Sequence, residues 1–67
     1  MITIEFNGEP KQVDDQSTVE DLLRLAKLEI RFCAVELNLE IVPKAQYLSK
    51  RISAGDKVEV VTLVGGG

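Results

Sequence analysis

The chain begins with a short alternation of apolar and polar side chains that is followed by a turn. The segment ITIEF at positions 2–6 has the period of two that is typical of a strand with one buried face. Asn7-Gly8 follows, and this pair favours a type I′ hairpin turn because both central residues of that turn need positive φ. Val13 is expected to face the same core as the apolar residues of the first strand. Pro10 suits an edge strand because it donates no backbone hydrogen bond. The pattern therefore predicts a β-hairpin.

The period changes to that of a helix in the segment that begins near Thr18. Apolar residues recur at i, i+3, i+4 and i+7 and form one stripe: Val19, Leu22, Leu23 and Ala26. Leu25 either widens this stripe or stays half exposed. The pattern predicts one amphipathic helix that packs on the hairpin.

The start of this helix has two possible caps. Thr18 with Asp21 forms a capping box, and Ser17 with Glu20 forms the same motif one residue earlier. Lys27 is expected in the last turn, where a cation complements the helix dipole.

The second half of the chain returns to strand patterns. In RFCAVELN, we expect Cys33, Val35 and Leu37 to face the core, since an unpaired Glu36 would be costly to bury. NLEIVP predicts a turn and a short strand that ends at Pro43. The loop after it contains three expected apolar anchors, Tyr47, Leu48 and Ile52, and Ala54-Gly55-Asp56 predicts a turn.

The segment KVEVVTLV predicts the last strand, with Val58 and Val60 facing inward. Val61 and Leu63 then lie on the opposite, exposed face, with Phe32 and Ala34 beside them. Such a patch would be a docking surface for partner proteins. The alternative is that a bulge returns Val61 and Leu63 to the core.

The order of elements is hairpin, helix, strand, short strand, strand. This order fits an α+β protein of the β-grasp (ubiquitin-like) class, in which a small mixed sheet is crossed by one main helix and the last strand returns to the middle. A ferredoxin-like fragment or a small roll has a compatible order. We expect one domain at residues 1–64 and a flexible glycine tail at residues 65–67.

Composition excludes several classes of function. The net charge of −3 argues against general nucleic-acid binding, and no apolar run reaches the roughly 20 residues that span a bilayer. The chain has no histidine and one cysteine, so no metal site, catalytic dyad or internal disulfide is expected, and catalysis by the chain itself is improbable. Cys33 is expected to be a core residue. Met1 leads directly into strand-like alternation, so we expect no signal peptide and a cytoplasmic location.

The sequence ends with LVGGG, and three glycines add nothing to a core. Each is entropically costly to order, so the tail is either frayed or suited to a narrow site where a Cβ would clash. From Leu63 to Gly67 the chain can extend about 16 Å.

Four stretches, in order, make the chain resemble the thiamine-biosynthesis sulfur carrier family (ThiS). They are FNGEP, STVEDLL, EIVPKAQY and GDKVEVVTLVGGG. One departure is Asn38-Leu39-Glu40, where the family often has Asn-Gly-Glu. Leucine resists positive φ, which leaves open the geometry of that turn.

The resemblance implies a carrier that is a co-substrate and no enzyme. A ubiquitin-activating-type adenylyltransferase (ThiF-like) would adenylate the Gly67 carboxylate with ATP and Mg²⁺. Sulfur from cysteine, supplied through a desulfurase, would then give a thiocarboxylate for a thiazole synthase (ThiG-like). Gly65 and Gly66 would thread into the partner, and Val61, Leu63, Val64 and Phe32 would dock it. The carrier would bind no cofactor stably and would be a monomer when free.

Two alternatives to this function remain open. The sulfur carrier family of molybdopterin synthesis is the nearest rival, but its members typically have a Pro-Pro pair where this chain has Thr62, Leu63 and Val64. A ubiquitin-like interaction module without sulfur chemistry is the other.

Overall fold

Strands β1 (Ile2–Phe6) and β2 (Glu9–Val13) form the predicted hairpin in the computed structural model, which describes residues 1–63. They pair antiparallel, with Ile2 opposite Val13. Asn7 and Gly8 have φ of 50° and 86°, as a type I′ turn requires. Strand β2 lies at an edge of the sheet, which is compatible with Pro10.

Helix α1 (Val19–Leu25) begins with the capping box of Thr18 and Asp21. The Asp21 amide donates to Thr18 Oγ1 at 3.2 Å, and the Thr18 amide donates to Asp21 Oδ2 at 3.0 Å. The alternative cap at Ser17 and Glu20 is wrong. Glu20 instead accepts from Arg24 one turn later on the exposed surface.

The helix ends two residues before Lys27, so the prediction that Lys27 lies in its last turn is wrong. Lys27 has a φ of 61°, and its amide donates to the Arg24 carbonyl. The Leu28 amide donates to the Leu23 carbonyl at 3.0 Å. These two bonds form a Schellman motif, which ends the helix with a left-handed residue. Arg24 is the basic residue of the last turn.

Strands β3 (Cys33–Leu37) and β4 (Glu40–Val42) form a second hairpin. Cys33, Val35 and Leu37 are buried and Glu36 is exposed, as predicted. Two single-turn 3-10 helices, Ile30–Phe32 and Lys44–Gln46, flank this hairpin in the sequence.

Strand β5 (Lys57–Thr62) occupies the centre of the sheet. The strand order is β2-β1-β5-β3-β4. Strand β5 pairs parallel with β1 and antiparallel with β3. The mixed five-stranded sheet with one α-helix confirms the predicted α+β, β-grasp class. The predicted boundary of the domain at residue 64 lies outside the described residues.

The core lies between the sheet and helix α1. Its aliphatic members are Ile4, Val13, Val19, Leu22, Leu23, Val35, Leu37, Val42, Ile52, Val58 and Val60, joined by Cys33 and Tyr47. The prediction that Leu48 is a further anchor is wrong, because its side chain is 69% exposed. Tyr47 and Leu48 are adjacent in a helical turn, where neighbours point about 100° apart, so only one of them faces the core. Of the two alternatives for Leu25, half exposure is the one observed, since its side chain is 55% exposed.

The side chain of Asn7 extends the pairing of β1 with β5 beyond the end of β1. Its Oδ1 accepts from the Val60 amide at 2.8 Å, and its Nδ2 donates to the Val60 carbonyl at 3.3 Å. The Asn7 amide also donates to the Val58 carbonyl at 2.9 Å. Backbone groups of a central strand need hydrogen-bond partners. The side-chain amide of Asn7 supplies them at Val60, where β1 has ended and the chain turns toward β2.

The turn between β3 and β4 places a leucine in the left-handed region. Asn38 and Leu39 have φ of 52° and 71°, so both central residues are positive. A side chain with a Cβ costs about 1–2 kcal/mol in this conformation. Leu39 is 79% exposed and therefore recovers little of that cost by packing.

Leu39→Gly is expected to stabilise the protein by about 0.5–1 kcal/mol, because relief of the left-handed strain exceeds the added entropy of the unfolded chain. Thermal unfolding should show a melting temperature about 2–8 °C higher. Leu39→Ala is the matched control, since it removes the side chain but keeps the Cβ. An equal stabilisation by both substitutions would contradict the strain argument.

Candidate partner-docking site

The two faces of strand β5 differ in exposure along its length. Val58 is fully buried and Val60 is 9% exposed, whereas Val61 is 60% exposed and Leu63 is 63% exposed. The predicted parity of the last strand is therefore confirmed, and the alternative of a bulge that buries Val61 and Leu63 is wrong. We call the sheet face opposite helix α1 the outer face.

Apolar residues from β3 and β5 meet on this outer face. Ala34 stands directly opposite Val61 in the antiparallel pairing. The Leu63 amide donates to the Phe32 carbonyl at 2.7 Å, which continues the pairing past the end of β5. Phe32 is 41% exposed. The predicted docking residues Phe32, Val61 and Leu63 are thus brought together.

Strand β4 adds a residue that the sequence analysis did not include. Ile41 is 78% exposed and stands opposite Glu36 of β3. Its alternation with buried Val42 was the available signal, but a strand of three residues gives a weak period. Phe32, Ala34, Ile41, Val61 and Leu63 together form what we call the outer patch.

The end of β5 is flanked by basic groups. The Arg31 guanidinium lies 4.8 Å from the centre of the Phe32 ring, and the Lys44 ammonium donates to the Arg31 carbonyl. Both residues are exposed, so the contacts stabilise the fold little. The Arg31 guanidinium also lies 3.9 Å from the Glu29 carboxylate, which offsets part of its charge.

Cys33 is buried in the core, as predicted, and is 2% exposed. Its thiol donates to the Glu29 carbonyl at 3.2 Å. Burial raises the pKa of the Cys33 thiol, which keeps it protonated and poorly nucleophilic. Burial likewise raises the pKa of Tyr47, whose hydroxyl donates to the Cys33 carbonyl at 3.0 Å. These properties suit a structural role for Cys33.

Four predicted site residues lie outside the described residues. They are Val64 of the docking set, Gly65 and Gly66 of the threading set, and Gly67, the expected site of adenylation. Their roles remain predictions.

Within residues 1–63, no group of three or more His, Cys, Asp or Glu side chains could hold a metal ion. No helix in that part of the chain is both long and apolar enough to span a membrane. A cleft of about 460 Å³ is lined by residues of the N terminus, β2, α1 and the segment between them, including Met1 and Leu25, so it is separate from the outer patch.

Comparisons with known proteins agree on one family. The family model described as ThiS family matches residues 4–67. The sulfur carrier protein ThiS of Bacillus subtilis is 37% identical over 65 residues, which cover 96% of this chain and 98% of that protein. A crystal structure of a thiamine biosynthesis protein (ThiS) from Geobacter metallireducens has a TM-score of 0.83 and 30% identity, and the match covers 98% of this chain and 100% of that one.

A longer relative matches this chain over part of its length. A thiazole synthase of Paramagnetospirillum magneticum is 46% identical over 62 residues. The match covers 92% of this chain but 19% of that protein, so this chain spans about a fifth of its length.

Val61→Asp is expected to change the free energy of unfolding by less than about 1 kcal/mol, because the new carboxylate stays in water. Val60→Asp, one residue earlier, buries an unpaired charge and should cost about 3 kcal/mol or more. Urea denaturation of both variants measures the difference. Similar losses of stability in the two variants would contradict the assignment of faces to β5.

Proposed function

This chain belongs to the ThiS family, and we propose that it is a sulfur carrier protein that supplies sulfur for the thiazole moiety of thiamine. The match of the family model through residue 67 supports this function most directly. In this proposal the chain is a co-substrate that other enzymes modify, and the reacting group is the carboxylate of Gly67.

The first step that we propose is activation of that carboxylate. A free carboxylate is a poor acyl donor, so a ubiquitin-activating-type adenylyltransferase couples it to AMP, with release of pyrophosphate from ATP and with Mg²⁺ bound by that enzyme. The persulfide sulfur that a desulfurase takes from cysteine then attacks the acyl group and displaces AMP. A thiol reductant cleaves the resulting acyl disulfide and leaves a C-terminal thiocarboxylate. Such an intermediate is protected when the partner excludes water.

The thiazole synthase is the proposed acceptor of this sulfur. Support comes from the Paramagnetospirillum thiazole synthase, a single longer chain that contains a region 46% identical to this protein. In that relative the carrier-like region and the rest of the thiazole synthase are parts of one chain. Where the two are separate proteins, we expect them to bind each other.

Docking and delivery are proposed to use adjoining parts of the molecule. The outer patch lies on β5 and its neighbours, and Leu63 is the described residue from which the tail continues. A partner that covers the outer patch therefore receives residues 64–67 next to the contact. Gly65 and Gly66 are suited to a narrow slot because they have no side chains.

Formation of the thiocarboxylate and the identity of the sulfur acceptor distinguish this function from the two alternatives. A carrier for molybdopterin synthesis would form the thiocarboxylate but deliver sulfur to a different synthase. A ubiquitin-like interaction module would form no thiocarboxylate.

The wild-type protein is expected to acquire a C-terminal thiocarboxylate when incubated with the cognate adenylyltransferase, ATP, Mg²⁺, desulfurase, cysteine and a thiol reductant. Intact-mass spectrometry should show the replacement of one oxygen by sulfur. Gly66→Val should block the reaction because its side chain prevents entry into the slot. Gln12→Val, on exposed β2, is a control that adds a valine away from the tail.

Absence of the mass change in the wild-type protein would refute the proposed function. Modification of Gly66→Val at the wild-type rate would refute the threading argument alone. Addition of either thiazole synthase or molybdopterin synthase to the thiocarboxylate then shows which one consumes it.

Val61→Asp is expected to weaken binding to the thiazole synthase at least about tenfold, because the partner would desolvate the new charge. Isothermal titration calorimetry measures the effect. Gln12→Asp, on exposed β2 at the far edge of the sheet, is the control for added negative charge. Equal weakening by both variants would indicate a nonspecific charge effect and contradict docking at Val61.

A further inference from the structure

Two carboxylates stand directly opposite one another on the outer face. Glu36 of β3 pairs with Glu59 of β5 in the antiparallel register, and both side chains are exposed. Residues at directly opposite positions have Cβ atoms about 4.5–5.5 Å apart, and like charges there oppose strand pairing. This arrangement is unfavourable for the isolated fold.

The described part of the chain does not neutralise this pair. The three ion pairs among residues 1–63 join other groups: Met1 with Asp15, Glu20 with Arg24, and Glu29 with Arg31. Lys57 precedes Glu59 by two residues on the same strand face, yet among residues 1–63 its ammonium has no ion-pair partner within 4.0 Å. The two negative charges therefore face solvent together.

The carboxylates border an apolar groove within the outer patch. This groove has a volume of about 160 Å³ and is lined mainly by Ala34, Ile41 and Val61, together with Glu36 and Glu59. Apolar walls that exclude water strengthen an electrostatic contact made beside them. The charge pair is thus part of the surface that the proposed partner covers.

We infer that the docking surface of the thiazole synthase presents a basic side chain, best an arginine, that lies between Glu36 and Glu59. This inference rests on the proposed function and adds the chemistry of the partner. A guanidinium has five N–H donors in a planar fork, so one arginine can donate to both carboxylates. The contact neutralises their mutual repulsion, which the free carrier retains.

The position of the pair also fixes the register of docking. Glu59 precedes Leu63 by four residues on β5, a separation of about 13 Å along an extended strand. Phe32, whose carbonyl accepts from the Leu63 amide, follows Arg31, and Arg31 is itself paired with Glu29. A partner with a cation over Glu59 therefore meets Leu63, the last described residue, about 13 Å away.

A second copy of this chain is a poor occupant of the same surface. A symmetric contact through the outer patch would place four carboxylates together, because each copy contributes Glu36 and Glu59. Burying like charges without a counter-charge is costly. The charge pattern thus favours a basic partner over self-association.

The test uses Glu36→Gln, Glu59→Gln and the double variant, with Glu9→Gln as the control. Glutamine keeps the shape of the side chain and removes its charge, and Glu9 is exposed at the turn of the first hairpin. Calorimetric titration against purified cognate thiazole synthase should give a Kd about five- to tenfold weaker for each outer-face variant and about wild-type for Glu9→Gln. Glu59→Lys should weaken binding further.

Thermal stability separates a docking role from a structural one. Removal of one carboxylate relieves repulsion, so Glu36→Gln and Glu59→Gln should melt at or above the wild-type temperature while they bind more weakly. The difference in Kd between wild type and the double variant should narrow as salt is raised.

If the wild-type protein binds the synthase and the double variant binds it with the same Kd, this inference is overturned but the proposed function stands. Failure of the wild-type protein to bind the synthase would overturn both. Stronger self-association of the double variant in sedimentation experiments, without loss of synthase binding, would assign the patch to a second copy and also overturn the inference.

Discussion

The position of strand β5 between β1 and β3 is the constraint on which the rest of the structure depends. Its backbone is paired on both sides, parallel with β1 and antiparallel with β3. The pairing with β1 covers only two residues in register, and the side chain of Asn7 completes it at Val60. One amide side chain therefore supports the central strand where β1 has already turned away. Without that support, the end of β5 nearest the tail would have backbone groups without partners on one side.

One face of the central strand β5 is buried in the core, and the other face is exposed. Val58 and Val60 pack under helix α1, and Val61 and Leu63 point to the outer face. Core packing fixes the register of β5, since a slip of one residue would exchange these faces. The same packing therefore fixes the position of the outer patch. In a protein of 67 residues, one strand provides both the centre of the core and the proposed docking surface.

The outer face also contains features that are unfavourable for the isolated domain. Val61 and Ile41 expose apolar surface, and Glu36 faces a second carboxylate on Glu59. A binding partner can offset both costs, because it covers the apolar area and can supply a cation. The strained turn at Leu39 is different, since the leucine side chain is 79% exposed and nothing in the structure explains its choice over glycine.

Local patterns determined the elements of this protein, and tertiary contacts determined their ends and neighbours. The period-two segments, the Asn7-Gly8 turn and the capping box at Thr18 were predictable because each depends on a few adjacent residues. The glycine motif and its family resemblance were also features of the sequence alone. The end of helix α1 was not predictable, because Lys27 takes a left-handed φ that its residue type does not favour. The exposure of Leu48 depended on which side of a single helical turn met the core. Likewise, the facing of Glu36 with Glu59 depends on the register between strands more than twenty residues apart in the chain, and only the folded sheet sets that register.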